Sequence, residues 1–336
     1  MDLSIIIVTW RSLEYLRACI HSVYRETQNL AVEIIVVDNA SGDGSEALIR
    51  DEFPHVKFFQ SHENLGFARA NNMGYAHSSG EVLLFLNPDT EIRADVFAEM
   101  VAHLCSHPAA GAVGARLLNS DGSLQTSCVQ AYPTILNQVL DSEALRRLFP
   151  TSSLWGMQAL FSGDERPTDV DAISGACFMV KREVFAAVGL FTETYFMYAE
   201  DLDLSYKITK TGHRIQYLPS CEVIHHGGRS SEKQGPFFAN LCQRESIVQF
   251  FRNTRGPFYS NCYRAALAAS AALRIGVLVL SLPFRRAAAR SKNSRIVLQK
   301  WLAHFRWAIG HGGNQFVAKP RSLTPESSSQ DLTLQR

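Results

Sequence analysis

The stretch that decides the fold of this chain is Glu81-Val82-Leu83-Leu84-Phe85-Leu86-Asn87-Pro88-Asp89. Its apolar run predicts a strand that is buried on both faces, as in a parallel sheet covered by helices. The turn after the strand carries Asn87 and the carboxylate of Asp89. Because open α/β sheets bind ligands beyond the carboxyl ends of their strands, we expect this turn to lie in a binding site.

Strand-like and helix-like segments alternate on either side of this stretch. Apolar or β-branched runs predict strands at residues 3–8, 32–37, 56–60 and 112–115. Helices are predicted at residues 12–24, 64–79 and 94–106. Ser12 is the expected N-cap of the first helix, and Asp121-Gly122 predicts a hairpin that makes the later part of the sheet mixed. The alternation indicates an α/β fold with a mainly parallel sheet flanked by helices.

The composition is that of a globular cytoplasmic protein. The 336 residues are 46% hydrophobic and 19% charged, which excludes a disordered chain. The seven cysteines form no C-x-x-C pair, a pattern that favours reduced thiols and disfavours a zinc site. The apolar run at residues 3–8 is too short for a secretory signal or a spanning helix, so we expect it to be the first strand.

The charge of the chain changes sign near residue 250. Residues 1–245 carry 19 basic and 30 acidic side chains, whereas residues 246–336 carry 14 and 2. Such a shift predicts a domain boundary. We therefore expect an α/β domain at residues 1–250, a basic and apolar helical appendage at 251–320, and a disordered tail at 321–336.

Asp38 and Asn39 follow the predicted strand at residues 32–37. A carboxylate in this place could accept a hydrogen bond from the N3–H of a pyrimidine base. A helix cap or a local turn made by the same side chain is the alternative.

Asn64-Leu65-Gly66 begins the predicted helix at residues 64–79. The helix N-terminus could face a phosphate, although a simple capped helix also fits. Gly66 is expected to allow close backbone approach, and Asn71 to hold the turn at residues 87–89.

Asp89 is the candidate metal ligand. Mg²⁺ binds through one or two carboxylates plus substrate phosphates, whereas a lone aspartate in a turn is ordinarily solvated. His225 and His226 follow predicted strands at residues 215–218 and 221–224, and a neutral imidazole could complete the metal shell. A structural histidine is the alternative, and the preference for His225 over His226 rests on spacing alone.

Another predicted helix begins in the segment Tyr198-Ala199-Glu200-Asp201-Leu202-Asp203-Leu204, with three acidic residues in its first turn. Exposed carboxylates that stabilise the helix dipole are the alternative to a catalytic role. Because Glu200 and Asp201 point about 100° apart on a helix, one could act as a general base while the other braces an acceptor.

Seven sequence elements, taken in chain order, resemble those of the family 2 glycosyltransferases. They are Thr9-Trp10, Asp38-Asn39-Ala40-Ser41, residues 64–72, Asn87-Pro88-Asp89, Ser174-Gly175-Ala176, residues 198–204, and His225 with Gly228. The resemblance covers roughly residues 1–230 and is closest to the rhamnosyltransferase-like branch that builds bacterial surface polysaccharide. It implies a GT-A fold, a nucleoside diphosphate sugar as donor, Mg²⁺ or Mn²⁺ as cofactor, and inversion at the anomeric carbon.

The motifs and the resemblance together predict four groups of site residues. The donor-binding residues are Thr9, Asp38, Asn39, Asn64, Gly66, Asn71, Asn87 and Asp89. The metal ligands are Asp89 and His225. The acceptor site comprises Gly175, Ala176 and Glu200, and the catalytic carboxylates are Asp201, as general base, and Glu200. We expect Asp38, Asp89 and Asp201 to converge on one pocket, and a carboxyl group of any of them on a remote face of the molecule would contradict this function.

One departure from the family pattern concerns Asn87, where many relatives have a second acidic residue. Metal binding then depends on fewer carboxylates, and a catalytically silent nucleotide-sugar-binding or scaffold protein is one alternative. A nucleotidyltransferase is another, but it usually needs a glycine-rich basic loop where this chain has Thr9-Trp10-Arg11-Ser12-Leu13. The presence of Asp89, Asp201 and His225 favours an active glycosyltransferase.

The appendage combines apolar and basic residues. Residues 265–284 are rich in Ala and Leu, and the basic residues that follow are Arg285, Arg286, Arg290, Lys292 and Arg295. This composition is typical of a segment in an anionic membrane interface, which would place a cytoplasmic enzyme at the inner face of the cell membrane, beside a glycan or lipid-linked acceptor. A helical hairpin packed on the catalytic domain or on a second subunit is the alternative. Binding to nucleic acid is less consistent with a region that is so apolar.

Overall fold

The structure, a computed structural model, describes residues 1–27, 29–163, 165–227, 238–281 and 293–310. The strands are β1 (Leu3–Thr9), β2 (Val32–Asp38), β3 (Lys57–Gln60), β4 (Val82–Leu86), β5 (Thr90–Ile92), β6 (Ala110–Leu118), β7 (Val129–Gln130), β8 (Thr168–Val170), β9 (Ala172–Ile173), β10 (Cys177–Lys181) and β11 (Arg214–His225). The helices are α1 (Leu13–Glu26), α2 (Ser45–Glu52), α3 (Gly66–Ala76), α4 (Val96–Ser106), α5 (Ile135–Val139), α6 (Glu143–Leu148), α7 (Gln158–Phe161), α8 (Arg182–Ala187), α9 (Glu200–Lys210), α10 (Phe238–Ser281) and α11 (Asn293–Ala308), with a short 3₁₀ turn at Thr126–Cys128.

A mixed sheet runs through the middle of the molecule in the order β3-β2-β1-β4-β10-β6-β11-β5, and β8 pairs with β11. The strands β1 to β4 are parallel to one another. β10 enters antiparallel between β4 and β6, while β6 and β11 are parallel. The α/β fold with a mainly parallel sheet, mixed in its later part, is therefore confirmed.

The sheet is buried on both faces because its central strands carry apolar side chains on each side. Leu84 belongs to the apolar core on the α1 and α4 face. Its neighbour Phe85 points to the opposite core, where its ring lies 4.9 Å from Phe185 and 4.7 Å from Phe191. Since neighbouring residues of a strand face opposite sides, a continuous apolar run is what a doubly covered strand requires.

Two local predictions differ from the structure. Residues 215–218 and 221–224 form one strand, β11, whose pairing with β6 shifts between Leu218 and Glu222. Pro219 lies in this irregular part, because a proline lacks the N–H that the ladder needs. Ser12 occupies the N-cap position of α1 without capping it by its side chain, since its hydroxyl lies 2.9 Å from that of Thr9.

The C-terminal helices pack on the α/β domain. The backbone of α10 kinks at Gly256-Pro257, where Gly256 has φ 84° and ψ 170°. Phe250 and Phe251, before the kink, share a buried cluster with Tyr195 and Leu202 of the α/β domain. The predicted domain boundary at residues 250 and 251 falls inside this helix, and the division into two domains stays a prediction.

Among the described helices, one segment, Ala239–Leu280, is long and apolar enough to cross a membrane by length and composition. Its most apolar window is only 22% buried within the structure. The predicted tail at residues 321–336, Gly228, and the basic residues Arg285, Arg286, Arg290 and Lys292 lie outside the described residues.

Candidate active site

A cavity of about 400 Å³ opens at the carboxyl edge of the sheet, against the first turns of α9 and α10. Ten of the predicted site residues line it: Asn39, Asn64, Gly66, Asn87, Asp89, Gly175, Ala176, Glu200, Asp201 and His225. They come from loops after several different elements, which the chain topology brings to one edge. The volume falls in the range of small-molecule sites.

Asp89 and His225 face each other in this cavity. The Oδ1 atom of Asp89 lies 3.3 Å from His225 Nε2. The backbone holds the pair in register, because Thr90 of β5 pairs with His225 of β11 and the N–H of His226 donates to the Asp89 carbonyl. Strand alternation turns the His226 side chain away from Asp89, so that its Nδ1 lies 2.8 Å from the hydroxyl of Ser120.

Gln125 orients the His225 ring. Its Oε1 atom lies 2.7 Å from His225 Nδ1, and because an amide oxygen can only accept, Nδ1 carries the proton. The lone pair of a neutral imidazole is then on Nε2, which faces Asp89 and lies 3.2 Å from the amide nitrogen of Asn87. Fixing a ligating histidine through its other ring nitrogen is the usual arrangement in metal sites.

The pair of Asp89 and His225 fits a divalent cation. One carboxylate oxygen and one imidazole nitrogen on a cavity wall leave most of the coordination shell for substrate oxygens. Within the described parts of the chain, no group of three or more His, Cys, Asp or Glu side chains could hold a metal. A cation here would therefore depend on phosphate oxygens from a ligand.

Asp201 lies at the start of α9, with both carboxylate oxygens held by the backbone. Oδ2 accepts from the N–H of Gly175 at 2.9 Å, and Oδ1 accepts from the N–H of Leu202 at 2.8 Å. Burial raises the pKa of Asp201, whereas the N–H groups of Gly175 and Leu202 lower it. Such a carboxylate is fixed in position, and it is a stronger base than an exposed one.

Glu200 has the opposite surroundings. Its side chain lines the cavity, yet Oε2 is buried and has no hydrogen-bond partner in the described structure. Burial raises the pKa of Glu200 well above its ordinary range, and the charge of Asp201 raises it further. Of the two neighbours, burial therefore favours the neutral form of Glu200, whereas the backbone N–H groups stabilise the charge of Asp201.

The loop before α9 has an unusual backbone. Tyr198 and Ala199 have φ of 71° and 62°, a left-handed conformation that side chains disfavour. Ala199 packs in the same buried cluster as Leu202 and Ile247, which holds this turn in place. Strained residues of this kind are common at functional sites, and here they place Glu200 and Asp201 on the cavity wall.

Asn39 and Gly66 join two neighbouring loops of the predicted donor side. The Asn39 amide donates to the Gly66 carbonyl and accepts from the N–H of Leu65. Gly66 has φ 78°, and a Cβ atom at this position would lie 2.3 Å from the Phe196 carbonyl oxygen. The expected close backbone approach at Gly66 is thus present. The backbone that approaches Gly66 is that of Phe196, in the loop before α9.

Three predicted donor residues do not line the cavity: Thr9, Asp38 and Asn71. The Asp38 carboxylate is buried and accepts from both the N–H and the hydroxyl of Ser41, which is the local turn that the sequence left open. The Asn71 amide donates to the Phe67 carbonyl in its own helix. Asp89 and Asp201 thus share the cavity, while Asp38 lies behind its wall, and the roles of these three residues in donor binding stay predictions.

Several other residues line the cavity and were not found from the sequence: Trp10, Ser127, Gln130, Tyr198, Gln243 and Ile247. Gln243 and Ile247 belong to α10, so the segment next to the basic appendage contributes to the site. No motif identifies Ser127, Gln130, Gln243 and Ile247, nor Gln125 beside them. Only Trp10 and Tyr198 lie in sequence elements that carried the family resemblance.

Comparison with known sequences finds glycosyltransferases. The family described as Glycosyl transferase family 2 matches residues 4–189. The N-acetylglucosaminyl-diphospho-decaprenol L-rhamnosyltransferase of Mycobacterium tuberculosis (strain ATCC 25618 / H37Rv) is 29% identical over 310 residues, which are 88% of this chain and 97% of that protein. Rhamnosyltransferase WbbL of Escherichia coli (strain K12) is 26% identical over 171 residues, covering 48% of this chain and 61% of that protein.

Solved structures share the fold. The mannosyltransferase PcManGT from Pyrobaculum calidifontis, in complex with GDP-Man and Mn²⁺, superposes with a TM-score of 0.53 at 19% identity, over 92% of this chain and 86% of that one. GalNAc-T7 with UDP, GalNAc and Mn²⁺ gives a TM-score of 0.58 at 18% identity, over 92% and 56%.

Proposed function

Because the chain belongs to glycosyl transferase family 2, we propose that it is an inverting enzyme of surface polysaccharide synthesis. The donor is a nucleoside diphosphate sugar, with rhamnose as the transferred sugar, and the acceptor is a hydroxyl of a lipid-linked glycan. The similarity to the mycobacterial N-acetylglucosaminyl-diphospho-decaprenol L-rhamnosyltransferase supports both choices. A glycosyltransferase is thereby preferred over a nucleotidyltransferase or a scaffold protein.

The observation that carries this proposal is the position of Asp89, His225 and Asp201 on the wall of one cavity. A carboxylate paired with a neutral imidazole suits a cation–diphosphate group. A second carboxylate, held by backbone N–H groups, suits a general base. One sugar-sized space that touches both groups is what displacement of a diphosphate by a hydroxyl requires.

The donor side is formed by Asn39, Asn64, Gly66, Asn87 and Asp89. Asp89 and His225 would hold Mg²⁺ or Mn²⁺, as the Mn²⁺ in two solved structures of the same fold suggests. When bound, such a cation neutralises charge on the leaving diphosphate. Asp38 and Thr9, behind the cavity wall, are proposed to support the loop that receives the base and ribose.

The acceptor side is formed by Gly175, Ala176 and Glu200. Asp201 removes the proton from the acceptor hydroxyl as that oxygen bonds to the anomeric carbon and the bond from this carbon to the diphosphate breaks. The single displacement inverts the configuration of the sugar. Glu200, which keeps its own proton, donates a hydrogen bond to the acceptor and does not compete as a base.

The membrane is the proposed place of action. A polyprenyl-linked acceptor is anchored in the lipid bilayer, and a nucleoside diphosphate sugar is available on the cytoplasmic side. The enzyme therefore works in the cytoplasm at the inner face of the membrane, with peripheral contact to it.

The test is a transfer assay with purified enzyme, Mn²⁺, a panel of UDP-, GDP- and dTDP-linked sugars, and an N-acetylglucosaminyl diphospho-polyprenol. We expect transfer from dTDP-rhamnose, with an inverted anomeric configuration by NMR. Replacement of Asp201 by Asn should remove at least the roughly 10²–10⁴-fold contribution of positioned proton transfer, with nucleotide affinity nearly unchanged. Activity within a few-fold of the wild type in Asp201→Asn would show that the base is misassigned, and failure of every donor would contradict the proposed reaction.

A further inference from the structure

The second part of α10, after Pro257, and α11 form a helical hairpin. Its inner end is fixed, because Arg264 donates to the Trp307 carbonyl at 2.8 Å and Tyr263, Leu267 and Trp307 lie in the buried cluster shared with the α/β domain. Towards the other end, the Arg274 guanidinium lies 4.3 Å from the Trp301 ring centroid. The pairing of 264 with 307 and of 274 with 301 shows that the two helices run antiparallel.

The outer end of this hairpin is apolar and exposed. Leu273, Val277 and Leu280 are 69%, 59% and 75% exposed, and their i, i+4, i+7 spacing places them on one face of α10. Ile296 and Val297 of α11 are also exposed, and the antiparallel pairing places them near the same end. We name these five residues the hairpin tip.

The charge around the hairpin tip has one sign. Residues 246–325 of the sequence contain 13 Lys or Arg and no Asp or Glu. The described cations on the two hairpin helices include Arg274 and Lys300, which both contact Trp301, and Arg274 also donates to the Val139 carbonyl at 2.9 Å. Large exposed apolar patches mark interaction sites, and an apolar patch on a uniformly basic element suits an anionic lipid surface, whose headgroups attract the cations while the apolar side chains enter the interface.

We propose that the hairpin tip is the membrane-docking surface of this protein and inserts into bilayers that contain anionic lipid. The inference extends the proposed function, because a lipid-linked acceptor would then be presented at the same surface. The α10 helix joins the two sites in one element, since Gln243 and Ile247 line the cavity and Leu280 lies at the tip.

Flotation of the full chain with vesicles tests the proposal without any glycosyl transfer. Vesicles of phosphatidylglycerol and phosphatidylcholine are compared with pure phosphatidylcholine at low and high salt. The wild type should float with the anionic vesicles, and less at high salt. The variants Leu273→Asp and Leu280→Asp should reduce the bound fraction at least about tenfold, since a charge in the interface opposes insertion.

A matched control is Leu148→Asp on α6, because Leu148 is 69% exposed, like Leu273, and lies outside the hairpin. This variant should float as the wild type does. Because exposed positions tolerate polar residues, circular dichroism should show all three variants folded, and Leu280→Gln provides a second, uncharged test. Equal flotation of the tip variants and the wild type would overturn the proposal, as would an equal loss in the Leu148 variant.

A second copy of the chain is the other occupant that the test can detect. If the tip variants change a dimer into a monomer in gel filtration and float unchanged, the surface is an interface between copies and the proposal fails. Transfer to a water-soluble acceptor should stay unchanged in every variant, so loss of docking is distinguishable from an error in the proposed reaction.

Discussion

At the residue scale, two adjacent carboxylates have opposite surroundings. Asp201 accepts two backbone hydrogen bonds, which stabilise its charge. Glu200 is buried and has one oxygen without a hydrogen-bond partner within the described structure. Their separation of roles follows from what each oxygen contacts, because neither the residue types nor their spacing distinguish base from neutral acid.

We predict that Glu200→Gln lowers activity but stabilises the protein relative to the wild type, and that this stabilisation grows as the pH rises. A carboxyl group whose pKa is raised on folding stabilises the fold only below its unfolded pKa; as the pH rises through the folded pKa, that contribution is lost. Burial and Asp201 raise the pKa of Glu200, whereas glutamine does not titrate. The Tm difference between the variant and the wild type should therefore grow as the pH rises above 4.5, the ordinary pKa of a glutamate.

The measurement is a thermal-shift series over that pH range. Glu193→Gln is a suitable control, because it removes another carboxylate, one that accepts a hydrogen bond from the Asn72 amide at 3.2 Å and does not line the cavity. A constant Tm difference across the pH range would mean that Glu200 is ionised in the folded protein.

A second prediction at this scale concerns Gln125, which orients His225. Gln125→Leu should weaken Mn²⁺ binding about 10–100-fold, the usual effect of losing a group that orients a ligating histidine. Mn²⁺ binding in the presence of a nucleoside diphosphate can be measured by electron paramagnetic resonance, independently of turnover. Gln130→Leu is the control, since Gln130 lines the same cavity but has no contact with His225. Equal Mn²⁺ affinity in both variants would contradict the role given to Gln125.

At the scale of elements, the site is built where strands end and loops cross. Most residues with positive φ other than glycine are in such loops: Arg11 after β1, Ala40 after β2, and Tyr198 and Ala199 before α9. The start of α3 touches the loop before α9 through the bond from the Phe67 N–H to the Phe196 carbonyl, 2.8 Å. This bond therefore links the proposed donor side of the cavity to its proposed acceptor side.

Gly66→Ala should disrupt this junction. The positive φ costs an alanine about 1–2 kcal/mol, and the overlap of its Cβ with the Phe196 carbonyl adds roughly 1–3 kcal/mol. Gly122→Ala is a matched control, because Gly122 has φ 79°, against 78° for Gly66, and nothing within 4 Å of its added Cβ. Urea unfolding should show a larger loss of stability for Gly66→Ala; equal losses would mean that the Phe196 loop moves aside without cost.

At the scale of the whole molecule, the C-terminal helices complete the core of the catalytic part. Trp307 of α11 is buried, its indole N–H donates to Glu245 at 2.8 Å, and its cluster includes Leu202, the neighbour of Asp201. The sequence left open whether this region packs on the catalytic domain or lies at a membrane. The structure shows packing at the inner end of the hairpin, and the apolar outer end is where docking is proposed.

We therefore expect Trp307→Ala to destabilise the whole protein by about 3–5 kcal/mol, the usual cost of emptying a buried aromatic site. Trp301→Ala serves as the control, because Trp301 is half-buried and its ring lies against Arg274, Lys300 and His304. Urea unfolding of Trp307→Ala should remain a single transition at a lower midpoint. Separate unfolding of the hairpin, with the catalytic part unaffected, would instead support two independent domains.

Much of the fold could be predicted from the sequence because its signals are local. The apolar run at Val82–Leu86 implies a doubly covered strand wherever it lies, and the turn residues at Asp121-Gly122 form the predicted turn, with Gly122 at φ 79°. The two strands predicted at residues 215–224 are one strand, because pairing with β6 continues past Pro219. Pairing of that kind depends on a distant partner, which the local pattern does not contain.

By itself, the sequence determined the α/β architecture, the family, and the candidates Asp89, Asp201 and His225. Only the tertiary structure decided that His225 rather than His226 faces Asp89, that Gln125 orients it, and that Asp38 turns back onto Ser41. The physical reason is that residue type and periodicity act over a few neighbours. Which side chains meet depends on strand register and loop crossings between segments as far apart as residues 89 and 225.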